Sequence, residues 1–316
     1  MKSKIRRVYI ESRFFGGSGG SEKHIMSIIY FFPKKFVFDI NITMLNIDPD
    51  YKNKRVNFIN NPDGNYDLAI KLGKGKLKLS TIALKKIVMP CGEDITKFQK
   101  HFDVIWLESK SDCKKSYYLP RFVCPFKFKD NIYHKESKIN YISDKFPNGY
   151  YVTVANTYDP FIKGIDLIYK LGGKLDKPLI WFTSENKICP IKFLYKGYKV
   201  PKNLYIAKDI THEIIMDTIK KSIAYVSFSR SESFGWAIAE AISLNVPIIS
   251  RNVGVISYYP HKVNLYKAPL EIPKLCRDIK NKEVDYSDYH KLFNGSWDIF
   301  SKSLAITISP KSPVSN

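Results

Sequence analysis

Residues 229–250, Ser-Arg-Ser-Glu-Ser-Phe-Gly-Trp-Ala-Ile-Ala-Glu-Ala-Ile-Ser-Leu-Asn-Val-Pro-Ile-Ile-Ser, contain a polar turn, an apolar helical run and a short strand. Two glutamates, Glu232 and Glu240, are separated by seven residues. The first lies in the turn, and the second lies inside the apolar run. Burying a carboxylate in such a run is costly unless a partner pairs with it. Glu240 is therefore either a functional carboxylate or a solvated side chain.

The apolar run predicts a helix that begins near residue 235 or 236. Its core side would carry Ile238, Ala241 and Ile242, which recur at helical spacing. Glu240 would then lie off that side, together with Trp236. A carboxylate in this position can accept two hydrogen bonds from a vicinal diol, such as the ribose of a nucleotide.

The turn before this helix suits an anionic sugar ligand. Glu232 lies where the helix macrodipole favours negative charge, and it can bond a sugar hydroxyl. The backbone N–H groups of Phe234 and Gly235 would face the same ligand. In the competing interpretation, Ser231 or Ser233 caps the helix and Glu232 only complements its dipole.

The chain from residue 150 alternates strands with helices. A strong strand at 150–155 precedes the segment 156–164, which includes Asn156, Thr157, Lys163 and Gly164, and a helix follows. Further strands are predicted at 178–183, 203–207 and 247–250, with a helix at 213–222. This alternation predicts a parallel sheet covered by helices on both faces.

The first half begins with a strand, a glycine-rich loop and a helix. The strand is predicted at 7–10, and the helix at 21–31 has Ile25, Ile28 and Ile29 on one face. Such a loop brings backbone N–H groups close to an anion. Neither the dinucleotide-binding pattern nor the P-loop pattern is present. We expect the loop glycines to bind substrate: Gly16, Gly17, Gly19 and Gly20.

Both halves therefore predict an α/β protein with two doubly wound, Rossmann-like domains that face a cleft. We expect an N-terminal domain at 1–126 and a linker at 127–149, since the latter is polar and poor in pattern. The C-terminal domain is expected at 150–285. Residues 286–316 would form a closing helix and tail. Ligands of such sheets bind beyond the carboxyl ends of the strands.

The composition favours certain classes of binding partner and a reducing cellular compartment. The net charge of +21 favours anionic partners, which include nucleoside diphosphates, anionic membranes and nucleic acid. Five cysteines without Cys-x-x-Cys spacing argue against a disulfide framework and a zinc cluster, so we expect a cytoplasmic protein. Without a run long enough to span a membrane, any membrane contact is expected to be peripheral.

The stretch from Glu232-Ser-Phe-Gly through Glu240-Ala241 to Pro247-Ile248-Ile249 resembles the Glu-x7-Glu signature of retaining GT-B glycosyltransferases. That family, glycosyltransferase family 4 or group 1, includes sucrose synthases and mannosyltransferases. Residues 19–24 resemble the family's first glycine loop, and Lys163-Gly164 resembles its Lys-Gly pair. The likeness spans about residues 5 to 260, and its most specific part is the Glu-x7-Glu block.

The resemblance implies roles for individual residues. Glu240 would hold the ribose, Glu232 would bond the transferred sugar, and Lys163 would neutralise the donor diphosphate. Family members usually place an arginine near the lysine, whereas Asn156 and Thr157 fill that neighbourhood here. The second positive charge is therefore either missing or supplied by another residue, such as Arg230 or Arg251. The residues expected to bind substrate also include Asn156, Thr157, Arg230 and Ser233.

No cofactor or metal is expected, since the resemblance implies a metal-independent reaction with a nucleoside diphosphate sugar as donor substrate. The acidic turn Asp48-Pro49-Asp50 is a weak metal signal, because acidic turns around a proline are common. The six histidines show no metal-ligand spacing, and each is expected at the surface or in packing.

The sequence thus predicts a retaining hexosyltransferase that uses a glycan, lipid-linked or protein acceptor. Two alternatives stay open. A nucleotide-sugar binding protein without turnover would explain the missing arginine. A basic protein that binds nucleic acid or anionic membrane would explain the charge, and its affinity would fall steeply with salt.

Overall fold

The computed structural model describes residues 6–12, 25, 28–29, 32, 34–42, 54–72, 82–89, 102, 104–107, 116–118, 142–157, 159–183, 200–232, 234–279 and 283–293. The chain divides into two compact units. Unit 1 comprises Met1–Ile132 and Leu292–Asn316, and unit 2 comprises Tyr133–Lys291. No helix within the described ranges is long and apolar enough to cross a membrane.

Unit 1 contains a parallel sheet of seven strands in the order β3-β2-β1-β4-β5-β6-β7. The strand order reverses between β1 and β4, so these two neighbours flank the switch point of the sheet. The strands are β1 (Arg6–Ser12), β2 (Phe36–Ile42), β3 (Val56–Phe58), β4 (Asn65–Leu72), β5 (Ile82–Met89), β6 (Val104–Leu107) and β7 (Ser116–Tyr118).

One face of this sheet forms the hydrophobic core of unit 1. Val8 and Ile10 of β1 pack there with Ile25, Ile28 and Ile29, which are helical and buried. These three isoleucines confirm the predicted apolar helix face. The loop before them, with Gly16, Gly17, Gly19 and Gly20, lies outside the described residues.

The opposite face of the same sheet carries buried charge. Glu11 of β1 and Lys71 of β4 are register partners across the switch point, and they form an ion pair. Only 5% of the Glu11 side chain and 10% of the Lys71 side chain are exposed. Tyr9 donates a hydrogen bond of 3.2 Å to the other carboxylate oxygen of Glu11.

Unit 2 contains a six-stranded parallel sheet in the order β10-β9-β8-β11-β12-β13, so its switch point lies between β8 and β11. The strands are β8 (Tyr151–Val154), β9 (Leu179–Thr183), β10 (Leu204–Lys208), β11 (Ala224–Val226), β12 (Ile248–Ser250) and β13 (Asn264–Leu265). The helices are α1 (Ile165–Gly172), α2 (His212–Lys220), α3 (Trp236–Ser243), α4 (Ile272–Asp278) and a further helical segment at 287–293.

The core of unit 2 lies between the sheet and the apolar side of α1. Ile165 and Ile168 are fully buried against Trp181, Phe228 and other core residues. Their spacing along α1 is the one expected for a helix that covers a sheet with one face. This packing fixes the start of α1 near the carboxyl end of β8.

Both ends of unit 2 are anchored by aromatic side chains. Phe146, within the segment assigned to the linker, has its ring centre 5.6 Å from that of Tyr205. At the other end, the backbone N–H of Ile248 donates to the hydroxyl of Tyr286, which in turn donates to the carbonyl of Val246. The predicted closing helix is helical at 287–293, and its remainder lies outside the described residues.

Candidate functional site

The lysine turn after β8 is held against the segment after β11. The backbone N–H of Lys163 donates to the carbonyl of Asp159 at 2.9 Å, and that of Arg230 donates to the carbonyl of Ile162 at 2.7 Å. Gly164 adopts a left-handed conformation, with φ of 66°. A Cβ atom there would lie 2.2 Å from the carbonyl oxygen of Phe228. Glycine is therefore required for this close approach.

Lys163 and Glu232 form an ion pair across the switch point of unit 2. The Lys163 Nζ lies 2.7 Å from Oε1 and 2.8 Å from Oε2 of Glu232. Ser229 donates a further hydrogen bond of 2.7 Å to Oε1. The lysine and glutamate side chains retain 25% and 14% exposure. Two residues that the sequence assigned to diphosphate and sugar are thus brought into direct contact.

The loop between Glu232 and α3 is fixed by a neighbouring glycine. Val255 donates its backbone N–H to the carbonyl of Phe234 at 2.7 Å. A Cβ atom on Gly254 would lie 2.4 Å from the same carbonyl oxygen. Gly235 is the N-cap residue of α3, and it forms no side-chain cap hydrogen bond. Capping by Ser231 is therefore wrong, and Ser233 lies outside the described residues.

Helix α3 holds Glu240 in a buried position. Ile238, Ala241 and Ile242 are buried, as predicted for the core side of this helix. Glu240 is only 4% exposed, so the interpretation as a solvated side chain is wrong. Its Oε1 lies 2.9 Å from the Nε2 atom of His212, the first residue of α2.

His212 is the site residue that sequence reasoning missed. It was expected at the surface or in packing, whereas it forms a hydrogen bond with one of the two signature glutamates. The two residues are 28 positions apart. No sequence motif contains both residues. Only the packing of α2 on α3 brings them together.

Tyr225 of β11 has a raised pKa, to which both glutamates contribute. Its hydroxyl is buried and donates to the carbonyl of Val154 at 3.5 Å. Burial raises the pKa of Tyr225, and the negative charges of Glu232 and Glu240 raise it further. Glu232 and Glu240 therefore lie close enough to the same side chain to act on its ionisation.

The two arginines named for the second positive charge differ in their partners. Arg230 donates to both carboxylate oxygens of Asp166, at 2.8 and 2.6 Å, and lowers the pKa of that carboxyl. Its guanidinium also lies 4.2 Å from the ring centre of Phe161. The charge of Arg230 is thus already compensated by a carboxylate.

Arg251 has no carboxylate partner within the described ranges. Its guanidinium carbon lies 5.5 Å from the ring centre of Tyr266. Burial raises the pKa of Tyr266, and the neighbouring arginine opposes that shift. The Nε atom of Arg251 is buried and has no hydrogen-bond partner in the described part of the chain. Of the two arginines, Arg251 retains a charge that is not compensated by an acidic side chain.

Other buried polar atoms at the carboxyl end of this sheet also lack hydrogen-bond partners among the residues that the structure describes. Thr157, which follows β8, is fully buried, and its Oγ1 has no partner. The same holds for the Oγ of Ser250, at the end of β12. Asn156, by contrast, is exposed. Because buried polar groups without partners are rare, their position at or just beyond the carboxyl ends of strands is the pattern expected for a ligand site.

The described part of the chain was also compared with the side-chain groups that bind metal ions. No group of three or more His, Cys, Asp or Glu side chains there could hold a metal ion. The acidic turn Asp48-Pro49-Asp50 lies outside the described residues.

Sequence comparison relates part of unit 2 to a known family. Residues 185–261, which include His212, Glu232 and Glu240, match the family described as "Glycosyl transferases group 1". The chain is also 23% identical over 149 residues to the phosphatidylinositol N-acetylglucosaminyltransferase GPI3 subunit of Saccharomyces cerevisiae. This alignment covers 43% of the chain and 33% of the yeast protein, so the chain spans about a third of the length of that relative.

Structural comparison covers almost the entire chain. WaaG, a glycosyltransferase involved in lipopolysaccharide biosynthesis, matches with a TM-score of 0.61 at 12% identity, over 95% of this chain and 99% of WaaG. The fold is GT-B. A second GT-B structure, Anabaena HepE in complex with UDP and glucose, matches with a TM-score of 0.59 at 12% identity, over 96% and 97% of the two chains. The GT-B match extends over both units, and the family match falls within unit 2.

Proposed function

We propose that the chain is a retaining, metal-independent hexosyltransferase that uses a nucleoside diphosphate sugar as donor. The observation that carries this proposal is the Lys163–Glu232 ion pair at the switch point of unit 2, with the buried Glu240 in the adjoining helix. Carboxylates suit sugar hydroxyls, and a lysine suits a diphosphate, so one edge of the sheet offers groups for both parts of the donor.

In the proposed donor complex, Glu240 accepts hydrogen bonds from the ribose, and Glu232 accepts them from the transferred sugar. Lys163 and Arg251 bind the diphosphate. Arg251 is preferred because no carboxylate among the described residues pairs with it. Arg230 would have to leave Asp166 to bind the diphosphate, as Lys163 must leave Glu232. The backbone N–H groups of the 234–235 turn supply further donors for the anion.

The transfer step breaks the bond between the anomeric carbon of the sugar and an oxygen of the diphosphate. The electron pair stays on the leaving oxygen, and negative charge develops there. Lys163 and Arg251 stabilise that charge, which a metal ion would do in other enzymes. The acceptor hydroxyl bonds to the anomeric carbon from the face that the diphosphate leaves. Its proton passes to the departing phosphate oxygen.

The acceptor is proposed to be lipid-linked and to be used at the cytoplasmic face of a membrane. The net charge of +21 favours an anionic surface. The name of the yeast relative includes phosphatidylinositol, and WaaG is described as involved in lipopolysaccharide biosynthesis. Free glycan and protein acceptors are the alternatives for the same reaction.

A thermal-shift screen against UDP-, GDP- and ADP-sugars tests the donor. A ligand that binds only the folded state raises the melting temperature, and we expect one nucleotide class to do so. HepE, whose structure contains UDP and glucose, makes UDP-glucose the first donor to try. Donor hydrolysis and transfer are then measured for the wild type and for Glu240→Ala.

The matched control is Glu213→Ala, which removes an exposed glutamate from α2. We expect Glu240→Ala to weaken donor binding by about tenfold or more, since a hydrogen bond to a charged group is lost, and Glu213→Ala to leave it unchanged. Equal activity of the wild type and Glu240→Ala would contradict the site. Donor binding without hydrolysis or transfer would instead favour a binding protein that has lost turnover.

A further inference from the structure

The contact between His212 and Glu240 joins two helices at the proposed ribose position. His212 is the first residue of α2, and Glu240 lies in the second turn of α3. The Nε2 atom and the Oε1 atom are 2.9 Å apart. The two side chains are 21% and 5% exposed. The Nε2 atom of His212 thus lies within hydrogen-bond distance of an oxygen of a nearly buried carboxylate.

The chemistry of the contact fixes the location of one hydrogen atom. When Glu240 is ionised, its carboxylate only accepts hydrogen bonds, and the Nε2 atom of His212 then carries the hydrogen that it shares with Oε1. A donor at one oxygen fixes the rotation of the carboxylate. The orientation of the second oxygen, Oε2, is then determined by α2 and not by the Glu240 side chain alone.

We propose that His212 is a positioning residue for nucleotide binding, which holds Glu240 so that its carboxylate accepts hydrogen bonds from the ribose hydroxyls. This inference rests on the proposed function, because it takes Glu240 as the ribose anchor. Burial strengthens the case, since a nearly buried carboxylate with a fixed rotation is already arranged for its ligand before binding.

The role of His212 separates two contributions to nucleotide affinity. Lys163 and Arg251 act on the diphosphate, which is common to ribonucleotides and deoxyribonucleotides. His212 acts through Glu240 on the ribose alone. Loss of His212 should therefore reduce the discrimination between a ribonucleotide and its deoxy analogue, and a general structural defect would not have that effect.

The test is a binding cycle between protein variants and nucleotides. UDP, GDP and ADP are titrated by calorimetry, and the one that binds is compared with its 2′-deoxy and 3′-deoxy analogues. The wild type should bind a deoxy analogue about tenfold more weakly, the factor expected for a lost hydrogen bond to a charged group. In His212→Ala, binding of the ribonucleotide should weaken by a similar factor. The difference in Kd between the ribonucleotide and its deoxy analogue should then nearly disappear.

Two further variants complete the cycle. His212→Gln places an amide N–H donor near the position of Nε2, and it should restore both the affinity and the discrimination. His290→Ala is the matched control, because His290 makes a similar contact of 2.9 Å to an uncharged partner, Asn245. That control should behave as the wild type does.

The possible results distinguish the positioning role of His212 from the ribose-binding role of Glu240. If His212→Ala keeps the full discrimination against the deoxy analogue, the positioning role of His212 is wrong. The proposed donor site is then tested by Glu240→Ala alone. If Glu240→Ala also keeps it, or if none of the three nucleotides binds, the ribose anchor itself is wrong, and the inference about His212 falls with it.

Discussion

Each unit carries a lysine–glutamate ion pair across the strands where the strand order reverses. In unit 1, Glu11 and Lys71 lie within the strands and are almost fully buried. In unit 2, Lys163 and Glu232 lie in the loops that follow the strands, and they remain partly exposed. A pair enclosed within a sheet mainly affects folding, whereas a pair in open loops can exchange its partner for a ligand.

The largest effect is expected from Lys71→Met, which removes the cation that neutralises the buried carboxylate of Glu11. Breaking a buried ion pair on one side costs about 3–5 kcal/mol of the free energy of unfolding. Urea unfolding measures this loss. The double variant Glu11→Leu/Lys71→Met removes both charges and should recover most of the stability. A double variant as unstable as the single one would show that the pair is not the cause.

The next largest effect is expected from Lys163→Met, and it is an effect on the rate of catalysis and not on the stability of the fold. Loss of a group that stabilises developing charge lowers turnover by about 10²–10³-fold. Because Lys163 and Glu232 are partly exposed, the free energy of unfolding should change much less than in Lys71→Met. Steady-state transfer rates and urea unfolding of the same variant test both statements. Normal turnover in Lys163→Met would contradict the role of the lysine.

A smaller effect on stability is expected from Gly164→Ala. The left-handed conformation and the approach to Phe228 make a Cβ atom costly there, by about 1–3 kcal/mol. The control is Gly172→Ala at the end of α1, where a Cβ atom would meet its nearest neighbour at 3.4 Å. That variant should be neutral or slightly stabilising. Thermal unfolding of both variants checks the difference, and equal losses would contradict it.

The smallest effect is expected from the Arg230–Asp166 pair, since 46% of the Asp166 side chain is exposed. Its contribution to the free energy of unfolding should stay below about 1 kcal/mol. Because folding lowers the pKa of Asp166, the contribution is present above the unfolded value, about pH 4, and is lost as the pH falls through the folded pKa. Unfolding of the wild type and Asp166→Asn at pH 7 and pH 3 measures it. A difference that grows at pH 3 would contradict this sign.

The sequence predicted much of the fold and the loops that bear the proposed donor site. The alternation of strands and helices indicated two parallel sheets, and the core side of α3 was predicted residue by residue. Glu232 and Lys163 were identified because the short motifs around them resemble those of the glycosyltransferase family. Such patterns are visible in sequence because each depends on neighbouring residues only.

The remaining contacts depend on residues that are distant in sequence. Glu11 and Lys71 are 60 positions apart, and their pairing follows from the register of β1 and β4. His212 meets Glu240 only through helix packing. The choice between Arg230 and Arg251 depended on Asp166, whose position opposite Arg230 no local pattern indicated. Long-range packing thus decides which charged side chains are already paired.

The central claim is that the switch point of unit 2 binds the nucleotide of the donor. The most direct measurement is calorimetric titration of UDP, GDP and ADP into the wild type, Lys163→Met and the double variant Glu11→Leu/Lys71→Met. We expect one nucleotide to bind the wild type and the double variant with the same Kd, and to bind Lys163→Met at least about tenfold more weakly, because a charged contact to phosphate is lost. An unchanged Kd for Lys163→Met, with weakened binding to a folded double variant, would contradict the claim.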